Sequence, residues 1–298
     1  MSDKQKDYIE HDIDERLRRK PSVFAFLKKP AVYFTLGVWF LLVTLPMIWM
    51  LYSSFKPDKD IVQNSWSLPK SFYLGNYEAA WTRYSVSGYF INSVVVVGTA
   101  LFATLLISAM AAYGLAKLRI KGSRYIYILF ILGMIVPAAL TMAPLFEVLR
   151  SLHLLNSLIG LSFVYTAVSI PFSILMLYGF FSSLPVEIKE AAVVDGANEW
   201  QIFWEVFFPM ARPGLVTVGI FNFLGMWNDY LLSLVTLIDP QKSTLQLGIA
   251  NMVVAMNYKN EWGALFATMV LTMLPVLIAY SLVHKKIVEG MVLGSVKG

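Results

Sequence analysis

Long stretches of this chain contain no charged residue, and they limit its possible folds more than any other feature. Five stretches are free of charge throughout, and a sixth is interrupted only by Asp229. A helix needs about 20 apolar residues to cross a bilayer core of roughly 30 Å, and all six are long enough. We therefore predict an all-α integral membrane protein. Its six spanning helices are expected at Ala31–Tyr52, Tyr84–Ala116, Tyr125–Phe146, Leu154–Val186, Pro213–Ile238 and Trp262–Val283.

The composition agrees with this prediction and excludes several kinds of chemistry. Charged residues make up 14% of the 298 residues, whereas soluble globular chains contain about 25%, and the mean hydropathy is +0.63. Cysteine is absent, which excludes disulfides, iron–sulfur clusters and thiol nucleophiles. The three histidines are scattered along the chain and do not indicate a metal site.

Lysine and arginine are distributed unequally between the two sides of the predicted membrane. Seventeen of them lie in the N-terminal tail, the loop Lys117–Arg124, the stretch 183–212 and the C-terminal tail, and seven lie in the connections on the other side. Basic residues accumulate on the cytoplasmic side, so we expect both termini in the cytoplasm. The predicted organisation is a charged cytoplasmic tail, a six-helix transmembrane domain and a cytoplasmic C-terminal tail, at residues 1–30, 31–285 and 286–298.

The stretch 183–212 differs from the other predicted cytoplasmic segments because it is acidic. It contains five acids and two bases, so it does not act as a positive anchor of the topology. Gly196 indicates that a short helix ends at Val194, because glycine readily adopts the left-handed conformation that follows a helix. Asn198 and Gln201 resemble a capping box that begins a second helix.

The first of these two helices has small apolar side chains flanked by carboxylates. The apolar residues are Ala191–Val194, and the acids are Glu187, Glu190 and Asp195. Such a patch suits insertion into a cleft of a partner protein. The alternative is an amphipathic helix that rests on lipid headgroups, but the negative cytoplasmic leaflet disfavours an acidic helix there.

Four motifs in this order resemble those of one family of transport proteins. The loop is similar to the EAA signature of permeases from binding-protein-dependent ABC importers, at Glu190-Ala191-Ala192, Asp195-Gly196-Ala197, Phe203, Pro209 and Pro213. Further motifs resemble the carbohydrate-importing branch, at Trp227-Asn228-Asp229-Tyr230, Trp262-Gly263 with Pro275, and Val288-Glu289-Gly290 with the last five residues. Within that branch, the chain resembles the shorter permease subunit of maltose-type importers.

The resemblance implies a type I ABC importer permease fold with a cytoplasmic coupling helix, in the bacterial inner membrane. The helix at Glu190–Gly196 would dock into a cleft of a separate ATPase subunit, where Glu190 meets a basic group and both alanines permit close approach. The implied partners are a second homologous permease, two ATP-binding subunits and an extracytoplasmic sugar-binding protein, besides membrane lipid and without nucleic acid. The C-terminal tail would lie against the ATPase dimer.

The chain itself is expected to be a transport subunit and not an enzyme. It has no G-x-x-x-x-G-K-[ST] phosphate loop, so ATP and Mg²⁺ are expected on the partner subunits and no cofactor on this chain. An alternative is a secondary transporter driven by an ion gradient, which needs ionisable groups inside the membrane. An intramembrane enzyme is a third class, but the chain lacks H-E-x-x-H and a G-x-S-x-G motif within a span.

Asp229 is the sole carboxylate inside a predicted span and is therefore a candidate functional residue. It lies about 24 Å along the helix from Pro213, at ~1.5 Å per residue, and so near the outer interface. One interpretation is a substrate site, in which Asp229 bonds to sugar hydroxyls and Trp227, Asn228 and Tyr230 stack on a ring face. The interpretation that we favour is a structural polar contact with the second permease.

The predicted outer loop Asp239–Glu261 is the remaining candidate contact region. The resemblance implies that this loop can reach into a docked binding protein. Asn251, Asn257 and Tyr258 are its candidate polar tips. The sequence does not indicate which sugar is carried.

Overall fold

The computed structural model describes residues 23–118 and 120–295, and their regular structure is helical throughout. Residues 1–22 of the predicted N-terminal tail and 296–298 of the predicted C-terminal tail lie outside this description. The helices are α1 (Val23–Ser53), α2 (Asp58–Gln63), α3 (Gly75–Glu78, continued by a π turn at Ala79–Arg83), α4 (Val86–Lys117), α5 (Ser123–Ile135), α6 (Ala138–Ser151), α7 (Leu158–Ser183), α8 (Glu187–Val194), α9 (Glu199–Met210, with π geometry at Ile202–Phe207), α10 (Arg212–Trp227), α11 (Leu231–Thr236), α12 (Leu245–Lys259) and α13 (Trp262–Ser295).

Four helices, α1, α4, α7 and α13, are each long and apolar enough to cross a membrane. Two bent pairs, α5 with α6 and α9 with α10, bring the number to six if each pair forms one span. The predicted all-α membrane fold is therefore confirmed.

The third predicted span, Tyr125–Phe146, is not one continuous helix. α5 ends at Ile135, and α6 begins after Pro137 with its axis turned by 108°. Proline disfavours the helical conformation in the residue before it, and Val136 is extended, with φ −73° and ψ 118°. The predicted span therefore consists of two half-length helices joined by a sharp bend at Pro137.

The fifth predicted span, Pro213–Ile238, is also interrupted. α10 follows α9 through a 72° bend and ends at Trp227, and α11 begins only at Leu231. Asp229 thus lies in the connection between two helices, and its predicted position inside a continuous spanning helix is wrong.

Helices α4 and α7 form the central pair of the fold. Ala100, Thr104, Ser108 and Ala112 recur every four residues on α4, and none has exposed surface. The Thr166 hydroxyl on α7 approaches the Ala100 carbonyl at 3.4 Å. Small side chains let helix backbones come close where lipid leaves no hydrophobic drive to associate, so this row of residues is a packing surface.

Apolar side chains form two cores, one toward each end of α4. The first core surrounds the N-terminal half of α4 and includes residues of α10, α12 and α13. The second surrounds the C-terminal half, where α7 and α9 contribute aromatic rings. The connections between helices therefore rest on packed surfaces at both ends.

Connections predicted on the outer side are joined by hydrogen bonds at the N-terminal end of α4. The Asn156 N–H donates to the Thr236 carbonyl at 2.7 Å. The Asn92 side-chain amide donates to the carbonyls of Gln241 and Ser243 at 3.0 and 3.1 Å. Two connections predicted on the outer side, 53–83 and 239–261, also meet directly, because Arg83 Nη1 lies 3.3 Å from Glu261 Oε1.

The connection between α1 and α4 is organised around a buried lysine. Lys56 is 1% exposed, and its ammonium donates to the carbonyls of Asn64, Ser65 and Ser67 at 3.0, 3.2 and 2.8 Å. An ammonium has three N–H donors, so all are used. Burial lowers the pKa of Lys56 from its ordinary value, while the Asp60 carboxylate acts in the opposite direction.

The same connection is anchored on the first turn of α13. The Gly263 N–H donates to Asp58 Oδ1 at 2.7 Å. Burial raises the pKa of the Asp58 carboxyl, and this hydrogen bond opposes the shift. A Cβ atom at Gly263 would overlap the side-chain amide of Asn76, so glycine is needed for this close approach.

Candidate functional site

Helix α8 ends at Val194, as the sequence predicts, and its end has the hydrogen bonds of a Schellman motif. The Ala197 N–H donates to the Ala192 carbonyl, and the Gly196 N–H donates to the Val193 carbonyl, both at 3.0 Å. Gly196 has φ +84°, a left-handed conformation that costs a residue with a Cβ atom about 1–2 kcal/mol. The turn after α8 therefore depends on this glycine.

The second helix of the loop, α9, begins with the predicted capping box. The Asn198 side-chain oxygen accepts from the N–H groups of Trp200 and Gln201, both at 3.0 Å. In return, Gln201 Oε1 accepts from the Asn198 N–H at 3.0 Å. These reciprocal bonds satisfy donors that a helix start leaves free, so the geometry between α8 and α9 is well defined.

Helix α8 exposes one face and packs with the other. Glu190, Ala191 and Val194 are exposed, and Val194 is 86% exposed. Ile188 and Ala192 are partly covered and pack against the second core. Ala191 is thus the more exposed of the two alanines, and close approach of a partner at both of them stays a prediction.

The remaining candidate residues of the loop complete this surface. Asp195 and Gly196 are exposed beside Val194, and Ala197 is partly covered by the second core. The exposed surface of α8 therefore combines carboxylates with small and branched apolar side chains. No residue of this surface is placed to perform bond chemistry, and its arrangement suits contact with another protein.

An aromatic cluster supports the covered face of α8. The ring of Tyr113 on α4 lies 6.0 Å from that of Phe181 on α7, and 5.2 Å from those of Phe203 and Phe207 on α9. Aromatic pairs at such distances contribute about 0.5–1.5 kcal/mol each beyond the burial of their area. The loop therefore rests on the junction of two central spans.

Polar contacts that sequence reasoning did not identify tie the loop to the ends of these spans. Lys189 Nζ lies 2.8 Å from Glu199 Oε1 and donates to the Lys117 carbonyl at 3.0 Å. The Tyr113 hydroxyl donates to Glu199 Oε2 at 3.1 Å, and Lys117 Nζ donates to the Leu184 carbonyl at 2.7 Å. The only feature of the sequence that could have indicated these contacts is Lys189, the single lysine of the acidic helix α8.

Asp229 caps the N-terminus of α11. Its Oδ1 accepts from the Leu232 N–H at 3.3 Å, and its Oδ2 accepts from the Ser233 N–H at 3.1 Å, the Ser233 hydroxyl at 3.3 Å and the Tyr165 hydroxyl at 2.9 Å. A carboxylate is favourable at a helix N-terminus. These four bonds give the residue a structural role within its own chain.

The neighbours of Asp229 divide into one buried residue and two exposed residues. Trp227 is 4% exposed, its indole N–H donates to the Thr272 carbonyl at 3.2 Å, and its ring stacks on Phe223 at 5.6 Å. The expectation that Trp227 stacks on a sugar ring is therefore wrong. Asn228 and Tyr230 are exposed and remain accessible to a substrate or partner.

The predicted outer loop Asp239–Glu261 is mostly helix, because it contains the 15-residue α12. Asn251, Val254 and Tyr258 follow at intervals of three and four residues, so they share one face. All three are exposed, Tyr258 to 87%. The side chain of Asn257 lies outside the described residues. Two of the three candidate contacts are thus on one solvent-facing surface.

The fold and this loop define a class of protein: a polytopic membrane component with a structured, exposed helix between two of its spans. In the described residues, no three histidine or acidic side chains gather into a group that could hold a metal ion. The chain belongs to the family of binding-protein-dependent transport system inner membrane components, whose sequence model matches residues 103–292. It is therefore the permease component of an ABC importer, a multi-pass membrane protein and not an enzyme.

Individual relatives agree with this assignment. The diacetylchitobiose uptake system permease protein NgcG of Streptomyces coelicolor is 42% identical over 250 residues, which cover 84% of this chain and 83% of the relative. The sulfoquinovosyl glycerol transport system permease protein SmoH of Agrobacterium fabrum is 32% identical over 275 residues, or 92% and 95% of the two chains.

A solved structure has the same fold. It is a crystal structure of a bacterial ABC transporter involved in the import of the acidic polysaccharide alginate. The similar chain has a TM-score of 0.77 and 25% identity, with 90% of this chain and 97% of that chain covered. The resemblance inferred from the EAA signature is confirmed, and the alternative of a secondary transporter receives no support.

Proposed function

We propose that this chain is one of two permease subunits in an ATP-driven importer of sugars or oligosaccharides. The names of its relatives support the substrate class, since they include uptake systems for diacetylchitobiose, starch degradation products and sulfoquinovosyl glycerol. The importer is completed by a second homologous permease, two ATP-binding subunits and an extracytoplasmic sugar-binding protein. ATP and Mg²⁺ bind to the ATP-binding subunits, and this chain binds no cofactor.

Helix α8 is the part of this chain on which the ATPase subunit acts. The supporting observation is its two-sided surface: Glu190, Ala191 and Val194 face outward, while Ile188 and Ala192 pack on the second core. An acidic and apolar face complements a cleft that combines apolar walls with a basic group. Force on this face reaches α4 and α7 because the covered face rests on their aromatic junction.

The side of the molecule opposite α8 contacts the binding protein and the solute. The exposed face of α12 with Asn251 and Tyr258 is the candidate contact for the binding protein, and Asn257 belongs to the same segment. Asn228 and Tyr230 are the candidate contacts along the pathway. Asp229 and Trp227 support this region from within the fold.

A transport assay tests the proposed function. The complex is purified, reconstituted in proteoliposomes with its binding protein, and supplied with radiolabelled diacetylchitobiose, maltose and an amino acid mixture. We expect uptake of a saccharide that requires ATP on the side of the ATP-binding subunits and continues in the presence of an ionophore. Uptake that needs an ion gradient but not ATP would contradict the mechanism, and uptake of amino acids alone would contradict the substrate class.

The orientation in the membrane can be tested by chemical labelling, because the chain contains no cysteine that would react as background. Single cysteines at the exposed positions Lys121 and Asn198 are expected to react only from the cytoplasmic side. Cysteines at the exposed positions Lys70, His153 and Tyr258 are expected to react from the outside. Reaction of position 198 from the outside would refute both the topology and the coupling role of the loop.

A further inference from the structure

One carboxylate joins the coupling loop to the central span α4. Glu199 Oε1 lies 2.8 Å from the ammonium of Lys189 on α8, and its Oε2 accepts from the Tyr113 hydroxyl on α4 at 3.1 Å. The Lys189 side chain is only 15% exposed, and Tyr113 is 4% exposed. Both donors therefore point into the protein, away from the surface offered to a partner.

The same lysine also holds the end of that span. Lys189 Nζ donates to the carbonyl of Lys117, the last residue of α4, at 3.0 Å. The ammonium of Lys117 donates in turn to the carbonyl of Leu184, the C-cap residue of α7, at 2.7 Å. Cations are favoured at helix C-termini, where carbonyls lack helical partners. α8 is thus connected by a directional bond to the terminal carbonyl of α4, and Lys117 connects α4 in turn to the C-cap carbonyl of α7.

We propose that Lys189, Glu199 and Tyr113 form a clamp that converts displacement of α8 into displacement of α4. This inference rests on the proposed function, in which the ATPase subunit acts on α8. The three are positioning residues, because they hold α8 to the spans and are not part of its outward face at Glu190, Ala191 and Val194. Their task is to stop α8 from moving relative to the spans when it is pushed.

A clamp is needed because the other attachment of α8 is apolar. Ile188 and Ala192 pack on the second core, and hydrophobic contact is non-directional, so it permits sliding along the aromatic surface. Hydrogen bonds to the carboxylate require short distances and a restricted range of angles. They therefore resist the relative movement that apolar packing allows.

The clamp is expected to matter more for motion than for stability. The Glu199 side chain is 55% exposed, and ion pairs that reach solvent contribute little to the free energy of unfolding. Loss of the clamp should therefore leave folding and assembly intact. This separates the proposed role from a merely structural one.

The test uses the complete importer with its binding protein, reconstituted in nanodiscs. Spin labels on cysteines at Lys121, just after α4, and at Gln63, on the opposite end of the molecule, report the position of the α4 end. Both positions are exposed. In the parent chain, trapping with Mg-ATP and vanadate is expected to shift the distance between the labels. Lys189→Met and Glu199→Gln are each expected to lose this shift at unchanged complex yield and ATPase rate, and Tyr113→Phe to reduce it.

Two variants serve as matched controls. Lys189→Arg retains a cation and is expected to restore the shift, and Glu205→Gln neutralises an exposed acid on the same helix as Glu199 and is expected to change nothing. A full shift in both Lys189→Met and Glu199→Gln would overturn the clamp, as would a reduced yield with a normal shift in the assembled fraction. By contrast, an absent shift in the parent chain, or a normal shift in Glu190→Lys, would refute the coupling role of α8 itself.

Discussion

Glu190→Lys is expected to abolish uptake while the chain remains in the membrane at its normal amount. Glu190 is exposed on the outward face of α8, so its replacement does not disturb the core. The change places a cation where the proposed partner cleft offers a basic group, and like charges at an interface are strongly unfavourable. The measurements are uptake, ATPase stimulation by the binding protein, and the amount of ATP-binding subunit that co-purifies.

Glu205→Lys is the matched control, because Glu205 is an exposed acid of the same loop that lies outside α8. It is expected to retain uptake.

Gly196→Val is expected to impair the same loop for a different reason. The left-handed φ of +84° at this position is unfavourable for a branched residue. Gly179→Ala is its control, because a Cβ atom at Gly179 meets nothing within 4 Å. Normal uptake and ATPase stimulation in Glu190→Lys would exclude α8 from the coupling role.

Asp229→Asn is expected to destabilise this chain without changing its transport kinetics. The carboxylate accepts from two backbone N–H groups and two hydroxyls. An amide has one oxygen and one NH₂ group, so at least one of these donors would face another donor. Hydrogen bonds to a charged group contribute about 1.5–3 kcal/mol, and we expect a loss of that size. The measurement is the thermal unfolding of the purified complex, together with uptake per assembled complex.

Two further variants make this prediction specific. Tyr165→Phe removes one donor to Asp229 and is expected to cause a smaller loss in the same direction. Asn228→Ala changes the exposed neighbour, whose side-chain amide donates to the Leu224 carbonyl one turn earlier and accepts a long bond of 3.5 Å from Gln246 Nε2. It is expected to leave stability nearly unchanged. If Asp229→Asn instead altered the apparent affinity for one saccharide at unchanged stability, the residue would belong to a substrate site.

Features that depend on neighbours in the sequence were predictable. The absence of charge over long stretches indicated a membrane-spanning chain and the approximate positions of its spans, since burying a charge in lipid is costly. The end of α8 at Gly196 and the capping box at Asn198 were predicted correctly as well. Their hydrogen bonds close within five residues of the chain, so the local residue types are sufficient to specify them.

Features that depend on distant residues required the tertiary structure. The sequence suggested that Asp229 is a charge inside a span. In the structure, Asp229 caps α11 and accepts a hydrogen bond from Tyr165, which lies 64 residues earlier in the chain. Trp227 looked available for a sugar, but packing on α13 buries it. In both cases, local residue types show that a polar or aromatic group needs a partner, and only the fold decides whether that partner lies in the same chain.

The loop that contains α8 and α9 also combines features that are predictable from the local sequence with features that only the tertiary structure shows. Its motif, its acidity and its two helix boundaries follow from the sequence alone. The sequence alone does not predict that Ala192 faces inward or that Lys189 contacts α4 and α9. These contacts join positions up to 72 residues apart. The sequence by itself thus indicated that this chain is a membrane-spanning permease, and it located the candidate coupling helix. The tertiary structure decided which side chains of that helix are exposed and which hold it to the spans, since burial depends on packing between distant segments.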